Sequence, residues 1–246
     1  MEATDLRPSK IIAVHLNYHS RNAERGKAPE TPSYFLKAPS TLNHTGQDVL
    51  RTPGCQLLAM EAEVALIIGD DCRNAAIGDA WNYVGWVTAA NDFGVYDLRY
   101  ADPGSNVHSK SFDTFTPIGA RLMKADDLDP AGFHLRGWIN GKLVQDAAMS
   151  EDLVFSFPYL VADLSRVMTL NRGDIILTGT PRGSTVVEPG DFVEVEVSHS
   201  SGASSNRLGN KIVALPGDLA ETGAQPRINQ ETLAAAYGSA VQSRRQ

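Results

Sequence analysis

Glu61-Ala-Glu-Val-Ala-Leu-Ile-Ile-Gly69 is the stretch from which the fold and the candidate site of this chain are inferred. Its aliphatic and β-branched residues end at a glycine and predict a buried strand. Because successive strand side chains point to opposite faces, Glu61 and Glu63 are expected to project from one face, about 7 Å apart. Two like charges beside an apolar run are costly unless a cation lies between them. The alternative is a solvated sheet face whose glutamates pair with lysine or arginine.

A third carboxylate, Asp92, follows a second apolar run, Val84-Gly-Trp-Val-Thr-Ala-Ala90. Three carboxylates without a nearby cysteine or a histidine cluster favour a hard cation over zinc. We therefore expect Glu61, Glu63 and Asp92, called the acidic triad below, to bind Mg²⁺ or Mn²⁺, with Ca²⁺ able to enter as a non-native ion.

Composition limits the class of protein. The chain has 246 residues, 42% of them hydrophobic, which is ample for a globular core. A net charge of −7 argues against nucleic acid as the main partner. The N-terminal residues lack an apolar signal region, and no apolar run approaches the ~18 residues of a membrane helix, so we expect a soluble, cytoplasmic protein without a membrane partner. Cys55 and Cys72 lack metal-ligand spacing and are predicted to be free thiols in a reducing compartment.

The pattern along the chain predicts a mainly β fold with a few helices. About eight short strands are separated by frequent turn signals, and Asn140-Gly141 predicts a type I′ hairpin. Apolar spacing predicts one longer helix over 157–170. We divide the chain into an N-terminal tail (1–9), a folded domain (10–215) and a peripheral C-terminal tail (216–246).

Four motifs in fixed order resemble the fumarylacetoacetate hydrolase family. They are the E-x-E strand, Asn91-Asp92, Lys110-Ser-Phe-Asp113 and Thr178-Gly-Thr-Pro181. The resemblance covers residues 10–215 and implies a catalytic domain with the β-sandwich roll of that family, usually a homodimer. It also implies that the triad cation binds a small 2-oxo acid through its carboxylate and adjacent oxygen.

The polar segment 19–26 resembles the family's lid, which carries a His/Glu pair in hydrolase and decarboxylase members. Glu24 lies where the family Glu is expected, but Arg21 takes the place of the His, and His19 is displaced by two residues. Glu24 and His19 are therefore catalytic candidates, and Arg21 is a candidate for substrate binding. The alternative is that all three are solvated loop residues.

Three further side chains are candidates by their place in the family pattern. Lys110 lies in an apolar, aromatic run and is expected to stabilise a developing enolate beside the cation. Lys37 ends a strand that resembles the family's F-x-K-x-P-S segment at the mouth of the site. Thr180 lies in a turn whose backbone N–H groups can meet an anionic substrate oxygen. Lysines and Gly-Thr turns are common on surfaces, so a solvated position is the alternative for each.

The chain departs from the family after Asp92. Many members carry an arginine four residues later, which holds the substrate carboxylate, whereas this chain has Tyr96 there and Arg99 where a glutamine is expected. A tyrosine offers one neutral donor where arginine offers a planar fork. We expect Arg99 or another basic group to take over binding of the substrate carboxylate, and Tyr96 and Arg99 are both candidates to contact the substrate.

A cation that stabilises an enolate serves C–C hydrolysis, decarboxylation and enol–keto isomerisation alike. The altered lid and the segment 97–106 look more like the branch that processes ring-cleavage products of homoprotocatechuate. We therefore expect 2-hydroxyhepta-2,4-diene-1,7-dioate isomerase or 5-carboxymethyl-2-oxo-hex-3-ene-1,7-dioate decarboxylase activity. The alternatives are hydrolysis of acylpyruvates or fumarylacetoacetate, and decarboxylation of oxaloacetate. A non-catalytic protein that binds a metal and a 2-oxo acid is an alternative of a different class.

Overall fold

The computed structural model describes residues 2–237 and is mainly β, as the sequence predicts. Its strands are β1 (Ile11–His15), β2 (Ser33–Lys37), β3 (Leu42–His44), β4 (Val49–Arg51), β5 (Leu58–Met60), β6 (Ala62–Ile68), β7 (Val84–Asn91), β8 (Gly94–Val95), β9 (Thr116–Ile118), β10 (Met123–Lys124), β11 (Phe133–Ile139), β12 (Lys142–Ala148), β13 (Ile175–Leu177), β14 (Thr185–Val186), β15 (Phe192–His199) and β16 (Leu208–Ala214).

The helices are short. The α-helices are α1 (His19–Arg25), α2 (Ile77–Ala80), α3 (Val107–Lys110), α4 (Met149–Asp152), α5 (Phe157–Val167) and α6 (Gln230–Tyr237), and four 3₁₀ turns cover Ala3–Asp5, Pro39–Thr41, Trp81–Tyr83 and Tyr96–Leu98. The described part has more strands than the roughly eight predicted, because strands of two or three residues are too short to show a periodic pattern.

The largest sheet positions the acidic triad. Its order is β2-β1-β13-β6-β7-β9-β3, with β10 also paired to β7. Strands β6 and β7 are antiparallel, with Ala62 opposite Asn91 and Glu63 opposite Ala90. The start of β6 and the end of β7 are therefore neighbours, and the backbone N–H of Asp92 donates to the carbonyl of Glu61 at 2.9 Å.

A second sheet, β12-β11-β15-β16-β4, packs on the first, and a small third sheet has the order β14-β5-β8. One apolar core contains Val64 of β6, Leu135 of β11 and Val195 of β15. Close packing depends on Gly137 of β11, where a Cβ would lie 3.1 Å from the Cβ of Ala62. A smaller core lines the other face of the first sheet. Burial on both faces explains why β6 is a continuous apolar run. The curled first sheet, with the second sheet packed on it, confirms the predicted sandwich-like roll.

The predicted hairpin and helix are present. Asn140 and Gly141 both have positive φ, 50° and 77°, as a type I′ turn requires. Helix α5 begins at Phe157 as expected but ends at Val167, three residues before the predicted end. Leu170 instead donates its N–H to the carbonyl of Cys72 at 2.9 Å, so its backbone is committed to a β-bridge.

The described residues of both predicted tails contact the domain. Leu6, in the predicted N-terminal tail, is buried. The predicted C-terminal tail contains α6, which packs in a small apolar cluster with Leu57, Ala59 and Tyr96. Residues 238–246 of that tail lie outside the described residues. Cys55 and Cys72 are free and buried. Among residues 2–237, the helices are all too short or too polar to cross a membrane.

Candidate metal centre and active site

The three carboxylates of the acidic triad converge. Each offers one oxygen within 4.8 Å of the others. All three residues are buried, with exposed fractions of 8% for Glu61, 2% for Glu63 and 1% for Asp92. The side chain of Asn91 accepts the backbone N–H of Glu61 at 2.8 Å and so fixes the approach to β6. The sheet register therefore brings together the carboxylates that the strand pattern predicts to be close.

Two buried lysines contact the triad. The Lys110 ammonium lies 2.7 Å from Oε2 of Glu61 and 2.8 Å from Oδ2 of Asp92, and it donates to the Asp92 carbonyl at 2.7 Å. The Lys37 ammonium pairs with Oδ1 of Asp92 and donates to the carbonyl of Phe115 at 2.9 Å. Both lysines are therefore buried beside the triad, and the alternative of a solvated position does not hold for either.

The two lysines differ in their charge environment. Burial acts to lower the pKa of Lys110, but attraction to Asp92 and Glu61 outweighs it and raises that pKa above its usual value. Burial dominates at Lys37, whose pKa is lowered despite attraction to Asp92. Two differences explain the contrast: the Lys110 ammonium pairs with two carboxylates and that of Lys37 with one, and the charge of Lys110 further lowers the Lys37 pKa. Lys110 is therefore a permanent cation at neutral pH.

The carboxyl groups of Glu61 and Glu63 have pKa values shifted in opposite directions. Burial acts to raise the pKa of Glu61, but Lys110 and Arg21 hold it well below its usual range. Glu63 accepts the backbone N–H of Gly179 at 2.7 Å. Its pKa is raised well above normal, first by burial and then by the charges of Asp92 and Glu61. Glu63 therefore needs a further positive charge beside it in order to be ionised at neutral pH.

The donor set fits Mg²⁺ or Mn²⁺. It consists of carboxylate oxygens, the ligands that hard dications prefer, and it lacks thiolate and imidazole. A dication would also supply the positive charge that the buried Glu63 requires. The residues that would hold it are the three triad members.

Helix α1 covers the segment that resembles the family's lid, called the lid below, and is followed by Gly26 in the left-handed conformation, with φ at 63°. The buried Arg21 pairs with Glu24, and one of its nitrogens lies 3.5 Å from Oε1 of Glu61. Glu24 also accepts the backbone N–H of Gly183 at 3.3 Å. His19 is exposed at the start of the helix. The structure thus brings Arg21 to the triad, with Glu24 paired to Arg21, and leaves His19 outside the site.

Tyr96 also reaches the triad. Its hydroxyl donates to Oε1 of Glu61 at 2.5 Å. The guanidinium of Arg99 lies 5.2 Å from the centroid of the Tyr96 ring, so Arg99 flanks the site through this ring. Thr180 is buried, and its hydroxyl accepts from Gln145 at 2.8 Å. Because Gln145 also accepts the backbone N–H of Ala62, it connects Thr180 to the strand that carries Glu63.

Sequence reasoning missed three residues of this region. His15 accepts a hydrogen bond from the side chain of Asn106 at 3.1 Å, and Asn106 immediately precedes the helix that carries Lys110. Burial, followed by the charges of Arg99 and Lys110, lowers the His15 pKa, so the imidazole is neutral at pH 7. At Gly94, a Cβ would lie 2.8 Å from Cε of Lys110. The only signals in the sequence were a histidine at a strand end and a glycine two residues after Asp92.

Comparisons with known proteins agree with this geometry. Residues 10–213 match the family model described as fumarylacetoacetate (FAA) hydrolase C-terminal. The chain is 39% identical to an Escherichia coli 4-hydroxyphenylacetate degradation bifunctional isomerase/decarboxylase over 206 residues, which are 83% of this chain and 47% of that protein. The chain therefore spans about half the length of this curated relative.

Two solved structures are similar over most of their length. One is a 5-carboxymethyl-2-hydroxymuconate delta-isomerase from Mycobacterium smegmatis, with a TM-score of 0.76 and 33% identity, covering 86% of this chain and 81% of that one. The other is a maleylpyruvate hydrolase from Sphingobium sp. SYK-6 in complex with manganese(II) and pyruvate, with a TM-score of 0.69 and 33% identity, covering 84% and 71%. With a family match over most of its residues and enzymes as its relatives, this chain belongs to the fumarylacetoacetate hydrolase family of enzymes.

Proposed function

We propose that this protein is a divalent-metal-dependent enzyme of aromatic catabolism that acts on 2-oxo or 2-hydroxy dicarboxylic acids as an isomerase or decarboxylase. The observation that carries the proposal is the buried Arg21, which lies on the lid where a hydrolase is expected to carry a water-activating histidine. Arginine does not lose its proton in proteins, so it cannot be the base that activates water. The specific activities we favour are 2-hydroxyhepta-2,4-diene-1,7-dioate isomerase and 5-carboxymethyl-2-oxo-hex-3-ene-1,7-dioate decarboxylase.

When bound by the acidic triad, Mg²⁺ or Mn²⁺ would act as a Lewis acid toward the carboxylate and adjacent oxygen of the substrate. Lys110 adds a second positive charge at this place. Because its pKa is raised, Lys110 stays protonated and acts as a hydrogen-bond donor to developing negative charge. Lys37, paired with Asp92, holds that carboxylate in orientation.

The remaining candidates surround this centre. Arg99, beside Tyr96, is proposed to bind the distal carboxylate of the substrate, and Arg21 supplies a further positive charge from the lid. We assign proton transfer to Glu24, which Arg21 and the N–H of Gly183 orient. His19 remains a second candidate, for which the lid would have to turn its exposed side chain inward. The backbone N–H of Thr180 is proposed to meet a substrate oxygen, since its hydroxyl is taken by Gln145.

Hydrolysis of an acylpyruvate is the second candidate, because the similar maleylpyruvate hydrolase was solved with manganese(II) and pyruvate. Fumarylacetoacetate hydrolysis, oxaloacetate decarboxylation and simple binding of a metal and a 2-oxo acid complete the alternatives. We also propose that the protein is a cytoplasmic homodimer. Light scattering at several protein concentrations would test its oligomeric state.

The test is product analysis with Mg²⁺ and three substrates: a dienol diacid of the 2-hydroxymuconate type, an acylpyruvate and oxaloacetate. Isomerisation removes the dienol absorbance without releasing CO₂, decarboxylation releases CO₂, and hydrolysis yields pyruvate and a second acid. Arg21→His is the matched variant and is expected to raise hydrolysis relative to isomerisation. Acylpyruvate hydrolysis as the fastest reaction of the unaltered protein would overturn the assignment. If the protein turns over none of the three substrates, the alternative of a non-catalytic protein that binds a metal and a 2-oxo acid is favoured.

A further inference from the structure

The C-terminal segment contacts the candidate site from outside the shared domain. The family match ends at residue 213, yet residues 216–237, called the strap below, fold back onto the domain. The strap ends in α6, whose first turn is fixed by Asn229, since its side chain accepts the backbone N–H of Thr232 at 2.9 Å. Thr232 and Ala236 are buried. The strap is therefore a structured part of the protein.

The first contact of the strap is with Tyr96. Ala236 packs in the apolar cluster that holds the Tyr96 ring and Leu57. The preceding part of the strap binds the same region, because the N–H of Arg227 donates to the Asp97 carbonyl at 3.0 Å. The Arg227 guanidinium also lies 4.0 Å from the centroid of the Tyr100 ring. The strap thus covers the segment that presents the Tyr96 hydroxyl to Glu61.

The second contact is with the lid. The guanidinium of Arg25, in the last turn of α1, donates to the backbone carbonyls of Ala234 and Ala235. Arg25 is partly buried, and burial lowers its pKa. Donors from a guanidinium to two carbonyls of one helix fix the relative position of two elements more firmly than a single contact does. Helix α6 therefore anchors the end of the lid.

The two contacts lead to one atom. Tyr96, under α6, donates to Oε1 of Glu61, and Arg21, one turn before Arg25 on the lid, lies 3.5 Å from the same oxygen. We propose that the strap is a positioning element of the active site, which holds the Tyr96 hydroxyl and the lid Arg21 together on Glu61. Arg25, at the end of the lid, is the positioning residue that receives the contact from the strap. It acts on the site through the lid and does not reach the triad itself. This inference rests on the proposed function only for its kinetic test.

The test uses the full chain and two matched substitutions in α6. Ala236→Glu places a charge in the buried contact and is expected to release the helix, whereas Gln230→Glu adds the same charge at an exposed position of α6. Hydrogen exchange in the metal-free protein should show faster exchange in Ala236→Glu at the strap, at the lid amides of Asn22 and Gly26, and at Tyr96. Losing the two hydrogen bonds from Arg25 should raise the rate of hydrogen exchange at the lid by about tenfold or more. Gln230→Glu should match the unaltered protein.

Arg25→Gln tests the lid contact by itself and guards against a misfolded Ala236→Glu protein. It should give the same faster exchange at Asn22 and Gly26 with an intact α6, and a kcat/KM lowered by about tenfold. Exchange needs no substrate, so it separates failure of the strap from failure of the proposed chemistry. Unchanged lid exchange in Arg25→Gln, or release of α6 without any change at the lid and at Tyr96, would overturn the proposal.

Discussion

Replacing Lys110 by methionine should destabilise the metal-free protein strongly. The substitution keeps much of the length and apolar character of the stem but removes the ammonium that lies between Glu61 and Asp92. Both carboxylates are buried, so neither can recover its lost partner from bulk water. Lys37 still contacts Asp92, and Arg21 still lies near Glu61, but the total positive charge around the triad falls by one.

The size of the effect follows from these contacts. Removing one partner of a buried ion pair costs about 3–5 kcal/mol, because the remaining charge stays buried and uncompensated. For a chain of about 150–250 residues, each 1 kcal/mol lowers the melting temperature by roughly 2–4 °C. We therefore expect a decrease of about 6–20 °C in the presence of EDTA. Mg²⁺ should narrow the difference, since a dication bound by the triad replaces the missing charge.

Thermal unfolding by calorimetry, in EDTA and in excess Mg²⁺, provides the assay. Lys211 lies exposed on β16, and Lys211→Met is the matched control, expected to leave the melting temperature within about 2 °C. If Lys110→Met and the unaltered protein have the same melting temperature in EDTA, the ammonium does not compensate the negative charge of the triad and the reasoning is refuted. A difference between the two proteins that widens in Mg²⁺ would contradict the charge-replacement argument.

Gly94, the two cysteines and His15 each give a testable expectation. Gly94→Ala should lower stability by about 1–3 kcal/mol in denaturant unfolding, because its Cβ would lie 2.8 Å from Cε of Lys110, whereas Gly78→Ala, which meets no atom within 4 Å, should not. Burial raises the pKa of the Cys55 thiol to about 12 and that of Cys72 above normal, so a thiol reagent at pH 8 should modify neither until denaturant is added. Because the pKa of His15 is lowered on folding, the unfolded chain binds more protons, and stability should fall below pH 6.5; a His15→Gln variant that shows the same acid dependence would contradict this.

The parts of the fold that were predictable are those set by local patterns. The apolar run before Gly69 gave a strand, and Asn140-Gly141 gave a hairpin, because each pattern satisfies one backbone geometry. The convergence of Glu61 and Glu63 with Asp92 depends in addition on the antiparallel pairing of β6 with β7, which no local pattern specifies.

The rest depends on contacts between distant parts of the chain. Helix α5 was predicted too long because the pairing of Leu170 with Cys72 has no local signal. The packing of α6 on Tyr96 joins segments more than a hundred residues apart, and a short alanine-rich helix does not disclose its partner. His15 was overlooked because its interaction with Asn106 spans 91 positions. Tertiary contacts of this kind are invisible to a periodic pattern.

The departures from the family at the lid and after Asp92 are connected in the structure. The resemblance places an arginine at the position of Tyr96 and a histidine at the position of Arg21. In this chain the guanidinium is on the lid instead, and Tyr96 and Arg21 both contact Oε1 of Glu61. A guanidinium at both positions would bring two positive charges toward one carboxylate oxygen, with Lys110 already on the other. Tyrosine, a neutral donor, satisfies that oxygen without adding charge. The arginine in the lid is therefore compatible with the tyrosine after Asp92, whereas the arginine that the family pattern expects at position 96 would place a second guanidinium beside it.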